Sequence, residues 1–174
     1  MATLGQQLLA PETGWRRYDD TNNILKYQNA TWKTYGTESC YGGSYKYVDT
    51  GSPINTTILA FKFYGTKLRV IGLVAGAYTS SAKVKIDGVD SGTFNQKNTP
   101  VVFQTLNYSI ENLSLGEHTI EIINLTTDAI GIDAIDIDET GYLICEVGNR
   151  LATPDPGWTR IEETNSKITY VGTW

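Results

Sequence analysis

Apolar and polar residues alternate along most of this chain, and most clearly between Leu115 and Asp138. Over Glu117–Leu125, His118, Ile120 and Ile122 share one phase while Thr119 and Glu121 take the other. That period of two predicts a strand with one buried face. Ile130–Asp138 is denser in Ile and Ala, as suits the middle of a sheet rather than its edge. Its phase slips near Ala134–Ile135, which predicts a β-bulge there. Thr126-Thr127-Asp128 joins the two runs, and Leu115-Gly116 supplies the turn before the first.

The same alternation recurs on both sides of the chain's midpoint. Thr57–Tyr64 puts Leu59, Phe61 and Phe63 on one face, and Gly65-Thr66 turns into a further strand over Lys67–Val74. Ala82–Asp87 alternates Ala82, Val84 and Ile86 against Lys83 and Lys85. Asp87-Gly88 is a hairpin signal, after which Gly92–Phe94 pairs back. Pro100 stands at the entrance of Val101–Ser109, where its missing donor does no harm. Shorter strands are expected at Trp15–Asp20, Ile24–Gln28, Thr31–Tyr35 and Ser44–Val48. Gly5–Ala10 is expected to form a short helical turn. Gly36–Gly51, polar and rich in Tyr, reads as a surface loop with little to bury. Eight or more strands with frequent turns and no convincing helix predict an all-β sandwich closing over residues 11–140.

Composition narrows the classes of partner. The net charge is −5 and the 14 basic residues are scattered, which argues against nucleic acid. No run is long enough to span a bilayer. Met1–Leu4 lacks the regions of a signal peptide, as expected of a protein exported without one or of a chain cut from a longer one. Two cysteines, Cys40 and Cys145, are too few for a disulfide scaffold or a metal knuckle. Two free thiols or a single bridge both remain open. Asn-X-Ser/Thr triplets begin at Asn29, Asn55, Asn107, Asn112 and Asn124, and mark glycosylation only in a secretory eukaryote.

The chain also repeats itself. Gly14-Trp15, Arg17, Thr21-Asn22 and Tyr27 recur as Gly157-Trp158, Arg160, Thr164-Asn165 and Tyr170, all at one constant offset. Leu8 and Pro11 recur as Leu151 and Pro154 in the same register. Thr31-Trp32 returns as Thr173-Trp174 after one deletion. A period as long as that offset means that a whole domain repeats. The expected organisation is a lead-in over 1–10, a sandwich over 11–140, a linker over 141–153 and the start of a truncated second repeat over 154–174. The competing reading makes the last segment a terminal strand that completes the fold or swaps into it.

The ordered set YGGSYKY, ILAFKFYGTKLRVIG, AKVKIDGVDSGTFN, LGEHTIEI and IGIDAIDID, spread over residues 41–138, resembles the galactose-binding-like jelly-roll modules. Many carbohydrate-binding modules belong to that group. The opening LLAPETGWRRYDDT resembles a repeat start in tandem modules of phage tail and Gram-positive surface proteins. The resemblance implies a jelly-roll β-sandwich, a glycan or other surface ligand, an extracellular or virion-surface location, and neighbouring repeats of the same chain as partners. Some members of that group are purely structural, so a stalk module without a ligand of its own is the alternative function.

Sugar binding needs flat apolar rings flanked by hydrogen-bonding groups. Trp32, Tyr35, Tyr41, Tyr45, Tyr47 and Tyr78 lie in or beside polar loops and are the candidate ligand-binding residues for a cell-surface or cell-wall polysaccharide. Each could instead cover the edge of the core. Asp19-Asp20 with Asp133, Asp136 and Asp138 raises the structural Ca²⁺ that related jelly rolls hold, although the spacing is not a ligand motif and no cofactor is expected. His118 is the lone histidine and lies in phase with Ile120 and Ile122, which suits structure rather than base catalysis. No nucleophile triad or placed carboxylate pair can be assembled, so no enzyme activity is expected.

Overall fold

The computed structural model describes residues 2–146, 148, 154 and 158–172. The strands are β1 (Trp15–Asp19), β2 (Lys26–Tyr27), β3 (Lys33–Gly36), β4 (Ser44–Val48), β5 (Thr57–Gly65), β6 (Leu68–Val74) and β7 (Ala82–Ile86). They continue with β8 (Val89–Phe94), β9 (Val102–Ile110), β10 (Gly116–Asn124), β11 (Ile130–Ile132), β12 (Ala134–Asp138) and β13 (Tyr142–Leu143). One layer runs β13-β5-β10-β7-β8, with β2 also pairing β5. The other joins β1-β12-β6-β9 to β11-β4-β3, because β11 and β12 continue one another across Asp133. Every pairing between the named strands is antiparallel. The all-β sandwich expected from the alternation is the architecture found.

The alternating side chains supply the interior. Leu59, Phe61 and Phe63 of β5, Val84 of β7, Ile120 and Ile122 of β10, and Val70, Ile135 and Ile137 of the facing layer form one buried cluster. Asp87 and Gly88 both take positive φ in the β7–β8 turn, as the Asp-Gly signal requires. His118 is buried, as its phase implies. Its Nδ1 lies 2.8 Å from Asp87 Oδ2 and its Nε2 the same distance from the Ser114 carbonyl. Burial alone would lower its pKa, but the two acceptors outweigh that and raise it.

Several expectations are corrected. The phase slip falls at Asp133, one residue before the predicted bulge. Gly5–Ala10 is not helical. Gln7 forms a bridge with Thr105, Leu8 N–H donates to Gln104 O, and Leu8 is buried against Ile71, Leu106 and Ala134. The stretch 141–146 is also tied down, with Leu143 buried, Tyr142 stacked on Tyr64 and Ile144 N–H on Lys62 O. Apart from Gly148, the remainder of the expected linker lies outside the described residues. The 36–51 segment is not bare loop, since Cys40 and Tyr45 are buried within it. Both cysteines are free thiols, and burial pushes that of Cys40 up to about 12. Asn107 and Asn124 are buried side chains, which removes two of the five triplets from the surface.

Candidate functional site

The rings singled out from sequence fall into three situations. Tyr35, Tyr45 and Tyr47 form a row. Tyr35 pairs with Tyr45 across β3–β4, and Tyr47 lies two residues on, so all three share the outer face of that ladder. The ring centroids are 5.7 Å apart for Tyr35–Tyr45 and 5.6 Å for Tyr45–Tyr47. Tyr35 is 52% exposed, Tyr47 half-buried and Tyr45 only 7% exposed. Tyr78 is 9% exposed and its hydroxyl lies 2.8 Å from that of Tyr45. For Tyr45 and Tyr78 the expectation of loop-borne exposed rings is therefore corrected. They form the floor on which Tyr35 and Tyr47 stand.

A glycine makes that floor. Gly131 pairs with Tyr47 in the β11–β4 ladder. A Cβ there would lie 2.5 Å from Leu73 Cδ2, 3.1 Å from the Tyr78 ring and 3.2 Å from the Tyr45 ring. Only bare backbone lets both rings settle over the strand. Gln96 holds that backbone from beside it, accepting from Gly131 N–H and donating to Gly131 O at 2.7 Å.

Trp32 and Tyr41 lie elsewhere. Trp32 packs half-buried on the core with its ring 4.7 Å from that of Tyr27, as an edge cover would. Tyr41 is half-buried against the Leu8, Ile71 and Leu106 cluster, with the Arg17 guanidinium 5.4 Å from its ring centre. Neither ring joins the Tyr35–Tyr47 row.

Three residues beside the row were not anticipated. Phe103 of β9 brings its ring 6.1 Å from that of Tyr45. Lys33 pairs with Tyr47 across the ladder, and its ammonium forms an ion pair with Asp49. Lys33 stands two residues before Tyr35 and Asp49 two after Tyr47, so the period-two rule applied to the tyrosines would have found both. Next to this pair an open cleft of about 590 Å³ lies between residues 29–33 and 48–53. The ion pair stands at its wall, where hydroxyl-bearing ligands would find both a donor and an acceptor.

A second polar cluster lies where β1 gives way to β4 along the long strand. Asp20 N–H donates to Asp133 O, and Tyr41 N–H donates to Asp133 Oδ1 at 3.1 Å. Asp20 is fully buried and neither of its carboxyl oxygens has a hydrogen-bond donor, nor has Asp19 Oδ2. Gly42 takes a φ of +67°, which strains any side chain there, and a Cβ at that position would also push aside Asp19 Oδ2, 1.9 Å away. Burial, with the neighbouring Asp19 carboxylate, pushes Asp20 up to about 7. Burial likewise pushes Asp133 up to about 7, against the Tyr41 N–H that would lower it. The undonated oxygens are of the kind a hard cation takes. Yet among the described residues no three carboxylate, imidazole or thiolate groups close on one point. Asp136 is spoken for by Arg17, and Asp138 by the Thr66 hydroxyl and the Thr66 and Lys67 amides. The donor set does not make a calcium site by itself, and burial favours the protonated form of Asp20 and Asp133.

Comparison with known proteins adds the fold's relatives. No family model matches the chain. It is 26% identical over 164 residues to the A type blood alpha-D-galactosamine galactosaminidase of Flavonifractor plautii, covering 94% of this chain but only 13% of that enzyme. Among solved structures, a family 35 carbohydrate-binding module from an environmental isolate superposes with TM-score 0.57 at 14% identity, over 75% of this chain and 99% of that one. The family 35 module of Abf62 from Cellvibrio japonicus gives TM-score 0.53 at 12% identity, over 73% and 96%. The salicylyl-acyltransferase SsfX3 gives TM-score 0.57 at 11% identity, over 79% of this chain and 43% of that one. Two antiparallel layers, the strand order and these superpositions together identify the fold as the galactose-binding-like jelly roll, that of the family 35 carbohydrate-binding modules.

Proposed function

We propose that the chain is a non-catalytic carbohydrate-binding module and that its ligand lies across the outer face of β3 and β4. The observation that carries this reading is the tyrosine row ending in an ion pair. Tyr35 and Tyr47 offer ring faces to sugar C–H surfaces, while Lys33 and Asp49 offer a donor and an acceptor to hydroxyls. The two charges cancel, which favours a neutral glycan over an acidic one. The fold's kinship with carbohydrate-binding modules supports the reading, as does the likeness to a stretch of a glycan-cleaving enzyme. His118 is occupied by Asp87 and the Ser114 carbonyl, which suits a structural role.

The wider setting we infer is a tandem array, with residues 154–174 opening a further module, in an adhesive phage tail or bacterial surface protein outside the cell or on the virion. Repeated weak sites would give such an array avidity for a cell-surface or cell-wall polysaccharide. Among the described residues no helix is long and apolar enough to cross a membrane. Affinity electrophoresis through a panel of neutral and acidic polysaccharides tests the function. Retardation by a neutral glycan, lost in Tyr35→Ala with unchanged melting, is the expected result. Passage through every polysaccharide would replace this reading with that of a structural stalk module.

A further inference from the structure

The tyrosine row ends at a cleft whose lining sugar hydroxyls alone do not use. The β3–β4 ladder stops at Lys33↔Tyr47. Beyond it, residues 29–33 and 48–53 border open space of about 590 Å³, within the usual range of a small-molecule site. Two kinds of surface meet there. Ala30 and Pro53 offer apolar surface, with Val48, a member of the buried core cluster, beneath them. Lys33 and Asp49 stand on the wall at the outer face as an ion pair, their side chains 50% and 55% exposed. Both walls are tied to the sandwich. The Asn29 side chain donates to Thr57 O at 2.9 Å, and Gly51 N–H donates to Thr127 O at 2.7 Å. The cleft is therefore formed before any ligand arrives.

A sugar meets such a cleft through one of its ring substituents. A bare hydroxyl would bond the ion pair and leave Ala30 and Pro53 uncovered. The methyl of a deoxy sugar would cover them and leave Lys33 and Asp49 without a use. A carboxylate would bring its charge beside Asp49, and a free ammonium would bring its own beside Lys33. An acetamido group meets every requirement at once. Its N–H donates to a carboxylate, its carbonyl accepts from an ammonium, and its methyl takes apolar surface. It does so without net charge. Parting an exposed ion pair costs little, and a hydrogen bond to a charged group is stronger than one between neutral groups.

We propose that this cleft takes an N-acetylated amino sugar. Asp49 accepts from the acetamido N–H, Lys33 donates to its carbonyl, and the methyl rests on Ala30 and Pro53. The adjoining sugar residues of the same glycan lie over Tyr47 and Tyr35. The inference rests on the carbohydrate reading and narrows it, from neutral glycans in general to those that carry acetamido sugars. It also divides the labour within the site. The rings hold any pyranose by its C–H surface, and the ion pair selects among pyranoses.

The test is to titrate the 174-residue chain, by saturation-transfer NMR, with paired probes that differ only in the acetamido group. The pairs are chitotriose with cellotriose, and the methyl glycosides of N-acetylgalactosamine and galactose. In at least one pair the acetamido sugar should bind about tenfold tighter, with its acetyl methyl protons the most strongly saturated. Asp49→Ala should erase that advantage, whereas Tyr35→Ala should weaken both members of the pair alike. Equal binding within both pairs, or an advantage that Asp49→Ala retains, would overturn the inference and leave the carbohydrate reading standing. So would silence from these probes together with retardation by a polysaccharide free of acetamido groups. Passage through every polysaccharide would remove the carbohydrate reading and this inference with it.

Discussion

Trp15–Tyr27 and Trp158–Tyr170 are nearly one sequence in two surroundings. Both form the same Asn-centred turn, with matching backbone bonds and matching contacts from the asparagine side chain. Only the first forms strands. Its β1 lies on Ala134–Asp138 and its β2 on β5, while the second forms no strand over 158–172 and leaves Trp158 exposed. The difference separates two kinds of information. A turn is closed by groups a few residues apart, and an asparagine carries its own acceptor to it. A strand has no bonds of its own and exists only against another strand.

Substitutions made in parallel at equivalent positions measure how far that contrast goes. The largest expected effect is at the buried ion pair. Arg17→Ala strands Asp136 without a counterion and should lower the unfolding free energy by about 3–5 kcal/mol in urea titration, whereas Arg160→Ala, at an exposed position, should change it by less than about 0.5 kcal/mol. Equal losses at both sites would mean that the second copy is docked after all. Next comes the tryptophan. Trp15→Ala removes a buried ring together with its two cation contacts and should cost about 3 kcal/mol or more, while Trp158→Ala should leave the melting temperature in place.

A third, smaller effect is visible as pH dependence. Asp20 and Asp133 bind protons more tightly folded than unfolded, since both sit near 7 against an ordinary value of 3.8. Their contribution is therefore full below about pH 4, declines as pH rises towards 7, and is lost above it. Asp20→Asn should flatten that decline and raise stability at pH 8 by on the order of 1–3 kcal/mol, read from chemical denaturation at pH 5 and pH 8. Glu163→Gln, at the equivalent position, should alter neither value. If added calcium lifts the wild-type melting temperature at pH 8 but not that of Asp20→Asn, the carboxylates serve an ion rather than a proton. The smallest contrast lies in the turns themselves. Asn22→Ala should cost about 0.5–1 kcal/mol, and Asn165→Ala should affect only the local amide exchange of Lys167.

The candidate site divides along the same line. Alternation places Tyr45 and Tyr47 on one face, and the same rule puts Lys33 and Asp49 beside them. Burial is another matter. Tyr45 and Tyr78 read as loop aromatics because their neighbours are Gly, Ser and Ala. They are sealed because Gly131, in a strand far along the chain from either, leaves room for both rings above its backbone. Trp32 and Tyr41 were drawn to the site by composition alone, and packing sends them to the core edge and to the Leu8 cluster. Leu8 itself looked like part of a lead-in because its partners, Ile71, Leu106 and Ala134, belong to strands of the middle and later parts of the chain.

What the chain's own order of residues determined is the strand repertoire, its alternating core, the Asp87-Gly88 hairpin, and an opening segment whose residues recur near the other end of the sequence. These follow from interactions within a few residues or from a period that survives whatever the strand packs against. Tertiary structure alone decided which of two matching opening segments is ordered into strands, which tyrosines stay at the surface, and which carboxylates lose their solvent. Each of those depends on contacts between residues far apart in the chain, where neither propensity nor pattern carries information.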